Sequence, residues 1–317
     1  MEYIEMSVGE RLGIPSLNNM TIYGLSEPTP FTPVRDETHV FREELARDIA
    51  LFFMADDTAM KLTGWPGCGK TTEVEQFHAA FNLPLLTTVA HPRMEIADLI
   101  GHYIPSKEGG MVYHYCAVGH AARQGFSVLI DEYNVLDPGV AVGLNGIAQG
   151  GKVYIPETGE MVGGNPGFRL FAAGNPNDVG AGMMGRNTQD ASNDDRFIEL
   201  RVDYLTAKEE VPLVAGEFFA NMGDPDQGIA MTYAENIVDV GNRVRNLYCG
   251  VNDSADAIDI TFSTRALRRW AKYIALYSAL GVDKPVKVAL ERVITNRAKP
   301  ETANAILNTV ETVFGTL

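Results

Sequence analysis

Cysteine is scarce in this 317-residue sequence: the three cysteines Cys68, Cys116 and Cys249 make neither a disulfide framework nor a metal knuckle, and read as buried or incidental thiols. Long apolar runs are missing too. No stretch of about 18 unbroken apolar residues occurs, which argues against a membrane-spanning helix. The opening residues Met1 to Glu5 have neither a basic nor an apolar leader region, so a cytoplasmic protein is expected. Positive charge is in short supply: 26 Lys/Arg face 41 Asp/Glu, for a formal net charge of −15, which repels nucleic acid and favours solubility or basic partners. The deficit is uneven. Residues 1–60 hold four Lys/Arg against eleven Asp/Glu, and residues 265–300 hold nine against two, an asymmetry that suits either solvated charged faces or the steering of like subunits together. What remains, 45% hydrophobic and 21% charged, is an ordinary globular composition, long enough for two domains.

One stretch stands above the rest. Gly64-Trp65-Pro66-Gly67-Cys68-Gly69-Lys70-Thr71 spells the phosphate-binding loop G-x-x-x-x-G-K-[ST] without a mismatch. Backbone N–H groups converge on a polyphosphate only where no Cβ intervenes, hence the glycines. The spacing assigns Gly64, Pro66, Gly67, Cys68, Gly69, Lys70, Thr71 and Thr72 to the nucleotide, with Lys70 on the β- and γ-phosphates and the Thr71 hydroxyl on Mg²⁺. The motif needs a strand before it and a helix after it, so that a helix N-terminus faces the anion. Thr58 to Thr63 reads as the strand. Thr72 to Phe81 reads as the helix, with Val74, Phe77 and Phe81 at helical spacing.

A second apolar run, Ser127 to Ile130, ends in Asp131-Glu132. Such a run is buried on both faces of a parallel sheet, and carboxylates at its C-terminal edge face the ligand crevice. Asp131 is therefore expected on Mg²⁺ and Glu132 on the attacking water. The run Phe168 to Gly174 ends in Asn175, a neutral polar group suited to holding that water or the γ-phosphate.

The prolines at 15, 28, 30 and 33 suggest that residues 1–36 are an extended arm. Glu37 to Phe53 carries the apolar spacing of an amphipathic helix, Leu83 to Val89 reads as a strand and Glu95 to Ile100 as a short helix. Strands alternating with helices predict an α/β fold with a doubly wound parallel sheet over residues 37–205. Residues 206–317 read as an all-helical domain, with helices over Lys208 to Met222, Ala234 to Leu247, Ser263 to Leu280, Val286 to Arg297 and Glu301 to Phe314. There is no internal repeat and no low-complexity tract.

Taken in order, these motifs, followed by Asp195-Arg196-Phe197 and Ser263-Thr264-Arg265, resemble an AAA+ ATPase, in particular the MoxR-type branch with its CbbQ/NorQ activases and the cobaltochelatase subunit CobS. His91, Ala97 to Gly101 and Gly109 to Tyr113 resemble that branch's helix-2 insert and its approach. Gly151 to Phe168 resembles the pre-sensor-1 hairpin. The tract from Gly180 to Phe197 and Asp131-Glu132-Tyr133 resemble CobS. The likeness covers residues 38–300 and departs at Gly101-His102-Tyr103, where the CbbQ pattern usually has an arginine after the glycine. It implies that Asn175 is sensor 1, Arg196 the arginine finger supplied to a neighbouring subunit, and Arg265 sensor 2 on a helical lid. Arg186 and Arg201 stay open as alternative fingers, and Arg268 and Arg269 make a solvated basic face a competing account of Arg265. His91 and His102 lack companion ligands, so no metal site is expected there.

The resemblance implies a homo-oligomeric ring, a hexamer by family habit, that couples ATP hydrolysis with Mg²⁺ to remodelling or activation of a protein client, through a von Willebrand A-domain partner or in metallocofactor insertion. A nucleotide-gated scaffold and a nucleic-acid motor of the McrB kind remain rivals. The paired Asp131 and Glu132 speak against the first, and the acidic balance without an aromatic-basic groove against the second. Met111 to Tyr113 and Tyr154 to Pro156 read either as apolar tips that grip a client or as packing on their own subunit.

Overall fold

The computed structural model describes residues 2–107, 109–175, 195–222, 226–249, 258 and 260–315. They fall into two compact units, one of residues 2–64, 69–175 and 195–202, the other of residues 65–68 and those described from 203 onward.

The first unit opens on a feature that differs from the expected extended arm. β1 (Tyr3–Ser7) pairs antiparallel with β2 (Thr21–Leu25), and α1 (Val8–Leu12) sits between them. The Ser7 hydroxyl caps α1 by accepting from Glu10 N–H. Met6, Val8, Leu12, Leu17, Ile22 and Leu25 bury one side of this hairpin, and Leu25 N–H donates to Phe81 O at 3.0 Å. The prolines mislead because they avoid the strands: Pro15 opens a 3-10 turn, where its missing N–H is harmless, and Pro28, Pro30 and Pro33 all follow β2.

α2 (Glu43–Met54) starts later than its apolar spacing suggests, because residues 34–42 are sewn onto α3 (Lys70–Ala80). Gln76 accepts from Asp36 N–H at 2.7 Å and donates to Val34 O at 3.1 Å. The buried Glu73 carboxylate pairs with Arg42 at 3.0 Å, with His39 3.5 Å away.

β3 (Ala59–Gly64), β4 (Leu85–Val89), β7 (Ser127–Asp131), β10 (Arg169–Gly174) and β11 (Ile198–Val202) form a parallel sheet in the order β11-β3-β10-β7-β4. The continuous apolar runs are explained by burial on both faces. Val128, Ile130, Leu170 and Ala172 pack into one core with Leu99, Val118 and Tyr133, and the alternate residue Phe171 turns to the other face against Phe52, Phe53 and His78. Around the sheet lie α4 (Ile96–Ile100), α5 (Ala117–Gln124), α6 (Pro138–Gly143) and α7 (Asn145–Ala148).

Two antiparallel hairpins project from this frame, β5 (Gly101–Pro105) with β6 (Met111–Tyr115), and β8 (Lys152–Ile155) with β9 (Glu160–Gly163). They are joined side by side. Tyr103 Oη donates to Glu157 O at 2.7 Å, and the Tyr115 hydroxyl bonds Glu160.

The second unit holds helices at Ala207–Asn221, Gln227–Cys249, Thr264–Ala279, Pro285–Val293 and Pro300–Phe314 around Trp270, Phe262, Ile237 and Leu290. Inside it, Arg245 donates twice to Glu210 at 2.7 Å, with both side chains buried. Two charges taken out of water together are tolerated only with such bidentate geometry, and removing one partner costs about 3–5 kcal/mol. No helix among the described residues is long and apolar enough to cross a membrane.

Candidate active site

Parallel register brings the separated motifs to one sheet edge. Gly174 of β10 lies opposite Thr63 of β3, Ala172 opposite Ile130 of β7, and all three strands run the same way. Their C-terminal ends therefore deliver the loop after β3, the Asp131-Glu132 pair and Asn175 together, although more than 100 residues separate the first from the last.

Lys70 opens α3 and is buried. Its ammonium donates to Gly64 O at 2.9 Å, which closes the loop on itself, and to Asn175 Oδ1 at 3.1 Å. The Asn175 amide nitrogen donates in turn to Glu132 Oε2 at 3.4 Å. Asn134 Nδ2 holds the Asn175 backbone carbonyl. Glu132 has φ of 55°, an uncommon conformation for a residue with a Cβ, and its N–H donates to Asp131 Oδ1 at 2.9 Å. That turn directs Glu132 away from the strand while keeping it tied to Asp131.

Gly67 and Gly69 have φ of 74° and 92°, the left-handed region that side chains resist, so the loop backbone is free to line an anion. Thr71 follows Lys70 in the first turn of α3, and Thr72 follows it, both half-buried. Thr71 and Asp131 offer a hydroxyl and a carboxylate, hard oxygen donors of the kind Mg²⁺ takes alongside phosphate oxygens and water. No group of three or more His, Cys, Asp or Glu among the described residues makes a dedicated metal cage. The donor set thus fits a magnesium polyphosphate.

Other expected residues are more scattered. Arg196 is half-buried just ahead of the edge strand β11, and Arg201 is exposed on that strand. Arg186 and the glycine-rich tract around it lie outside the described residues. Arg265 is exposed in the first turn of the Thr264–Ala279 helix, whose Ser263 hydroxyl accepts from Ala266 N–H at 3.1 Å. Its neighbour Arg268 pairs with Glu217 at 2.8 Å and so is partly engaged. Sequence reasoning passed over Asn134, which secures Asn175, and Arg42, whose guanidinium lies beside Gly69 while pairing with Glu73. Neither belongs to a motif; only the fold places them.

The hairpin tips divide between the two readings. Met111, Val112 and Tyr154 are exposed, as is Met161, whereas Tyr113 is half-buried and packs edge-on against Tyr103 and Tyr115 at 5.5 and 5.0 Å. Ile155 is buried as well. Tyr113 and Ile155 are parts of the protein's own packing because alternation along each strand turns them opposite to their exposed neighbours Val112 and Tyr154.

Comparison with known proteins agrees with this arrangement. A model of the AAA domain (dynein-related subfamily) matches residues 59–197, and a model of the CbbQ/NirQ/NorQ C-terminal region matches residues 225–313. The chain is 26% identical over 283 residues to the denitrification regulatory protein NirQ of Pseudomonas aeruginosa, covering 88% of this chain and 98% of that protein. It is 31% identical over 188 residues to the protein NorQ of Paracoccus denitrificans, 59% of this chain and 64% of the other. To the aerobic cobaltochelatase subunit CobS of Sinorhizobium sp it is 26% identical over 220 residues, 67% and 65% of the two chains. A solved structure of a Thermotoga maritima RuvB variant superposes with a TM-score of 0.52 at 15% identity, over 87% of this chain and 78% of that one, a likeness of fold alone.

A parallel sheet that gathers a phosphate loop, an Asp-Glu pair and a polar strand end, under these matches, defines an AAA+ ATPase, a class that hydrolyses ATP with Mg²⁺. Within that class its matches are with MoxR-type proteins, NirQ, NorQ, CbbQ and CobS among them.

Proposed function

We propose that this chain works in a cytoplasmic homo-oligomeric ring, a hexamer, that spends ATP hydrolysis on remodelling or activating a protein client, with a von Willebrand A-domain protein as the adaptor and metallocofactor insertion as one outcome. The observation that carries the ATPase part is the hydrogen-bonded path from Lys70 through Asn175 to Glu132. It ties the phosphate-binding cation to the candidate base through a neutral amide, so a change at the γ-phosphate reaches the group that handles water.

In this reading Lys70 holds the β- and γ-phosphates, and Thr71 and Asp131 hold Mg²⁺, which neutralises charge on the phosphate oxygens. Glu132 accepts the proton of the attacking water, oriented by Asn175. Arg196 meets the transferring group of the neighbouring subunit and Arg265 that of its own. Met111, Val112, Tyr154 and Met161 form an exposed apolar surface on two hairpins fastened to each other, which suits a client contact. The relative CobS, an aerobic cobaltochelatase subunit, supports metallocofactor insertion as one outcome.

Glu132→Gln tests the core of this reading. The variant keeps the shape and loses the charge, so it should bind ATP and retain it, and it should hold a client that the parent releases. Turnover at the parent rate would remove Glu132 from the chemistry.

A further inference from the structure

The crest of the phosphate loop, Trp65–Cys68, groups with the second unit. There the Tyr204 hydroxyl donates to Pro66 O at 3.0 Å, and Thr261 Oγ1 lies 3.0 Å from the same phenol oxygen. A carbonyl only accepts and a phenol has one proton, so Tyr204 must give its proton to Pro66 and receive one from Thr261. Burial raises the phenol pKa and keeps that proton in place. The Arg245 guanidinium lies 4.3 Å above the Tyr204 ring, fixed by its two bonds to Glu210 and by a third, through Nε, to Phe262 O at 2.7 Å. A cation held over the ring draws density from the phenol and strengthens its hydroxyl as a donor. Next to this bond, Gly67 and Ser263 meet so closely that a Cβ on Gly67 would sit 2.3 Å from Ser263 Cβ.

The Pro66–Gly67 peptide is trans and planar, so the carbonyl of residue 66 and the N–H of residue 67 point in opposite directions. Gly67, with no Cβ and φ of 74°, has little conformational resistance of its own to a flip of that plane. A flipped plane would turn a carbonyl toward the phosphates where the loop must offer a donor. We propose that Tyr204 is a positioning residue of the ATP site: by holding Pro66 O it fixes the Gly67 amide as a phosphate donor, and the buried Glu210–Arg245 pair holds Tyr204 to that task. The inference rests on the nucleotide-binding role of the loop and extends it to a residue 138 positions away in sequence.

Tyr204→Phe removes one oxygen and keeps the ring under Arg245. With a fluorescent Mg·ADP analogue, its affinity should fall about three- to tenfold, the scale of one hydrogen bond. KM for ATP should rise in step while kcat changes less, and the nucleotide-free protein should melt as the parent does. Thr261→Val leaves the Tyr204–Pro66 bond but frees the phenol to turn, and should fall between parent and Tyr204→Phe. Parent binding and its loss in Lys70→Ala calibrate the assay, so a failure of the loop as a nucleotide site is seen separately. Affinity of Tyr204→Phe within twofold of the parent overturns the proposal, as does a drop in the melting temperature of the nucleotide-free protein that parallels the loss of binding. If Tyr204→Phe does not fold, parent-like affinity in Thr261→Val overturns it instead.

Discussion

Asn175 Oδ1 accepts a hydrogen bond from the Lys70 ammonium at 3.1 Å, across 105 residues of sequence. The same amide donates to Glu132, so one neutral side chain touches the proposed phosphate-binding cation and the candidate base at once. Asn175→Ala should bind ATP within about threefold of the parent and lose about 10²-fold in kcat, the scale for removing one oriented polar group near developing charge. Lys70→Ala should lose binding itself. A loss of affinity in Asn175→Ala as large as that in Lys70→Ala would mean that Asn175 only shapes the loop.

Loose phosphoryl transfer spreads charge over oxygens that need a further guanidinium. Arg196→Ala should bind ATP almost normally and hydrolyse it about 10³-fold more slowly. Mixed with Lys70→Ala, it should regain activity, because some interfaces then pair an intact loop with an intact finger. A mixture that stays inactive after native mass spectrometry shows subunit exchange would rule out Arg196 as a finger acting between subunits.

The hairpin residues divide by exposure. Met111→Ser with Tyr154→Ser removes exposed apolar surface and should weaken client remodelling while ATPase activity, assembly and melting temperature stay at parent levels. Tyr113→Ser empties a half-buried place between Tyr103 and Tyr115 and should lower stability by about 1–3 kcal/mol, read by urea denaturation. Equal destabilisation by both variants would assign the whole surface to packing.

His78 is fully buried against Phe53, Phe77 and Phe171, with Nδ1 2.8 Å from Val74 O, so the neutral ring donates there. Burial pushes its pKa down to about 4 from the usual 6.5. Below pH 6.5 the unfolded chain takes up a proton that the folded chain refuses, so this contribution to stability is whole above pH 6.5, falls as pH drops, and levels off below about 4. The span corresponds to about 3 kcal/mol. His78→Phe should flatten that part of the stability profile in urea titrations between pH 7 and 4.5. An unchanged slope would place the acid sensitivity elsewhere.

The candidate site residues were legible in the sequence because backbone demands and ligand chemistry restrict residue type locally. A phosphate cradle needs Gly67 and Gly69, a twice-buried strand needs the run Val128 to Ile130, and both announce themselves within eight residues. The helices of residues 206–317 were legible through their apolar spacing. The hairpin of β1 and β2 was not, since its stability comes from burying Met6 and Ile22 beneath a surface the sequence does not display. Nor were the supports of the site. Asn134 behind Asn175, Arg42 on Glu73, and Tyr204 on Pro66 under Arg245 are single polar side chains with no spacing rule. Their partners lie 31 to 138 residues away, and a hydrogen bond or ion pair at that separation exists only after the sheet and helices have closed the distance. Residue type and local periodicity fixed which groups are present to do chemistry; tertiary packing decided which of them touch, because contact and desolvation are properties of the folded chain.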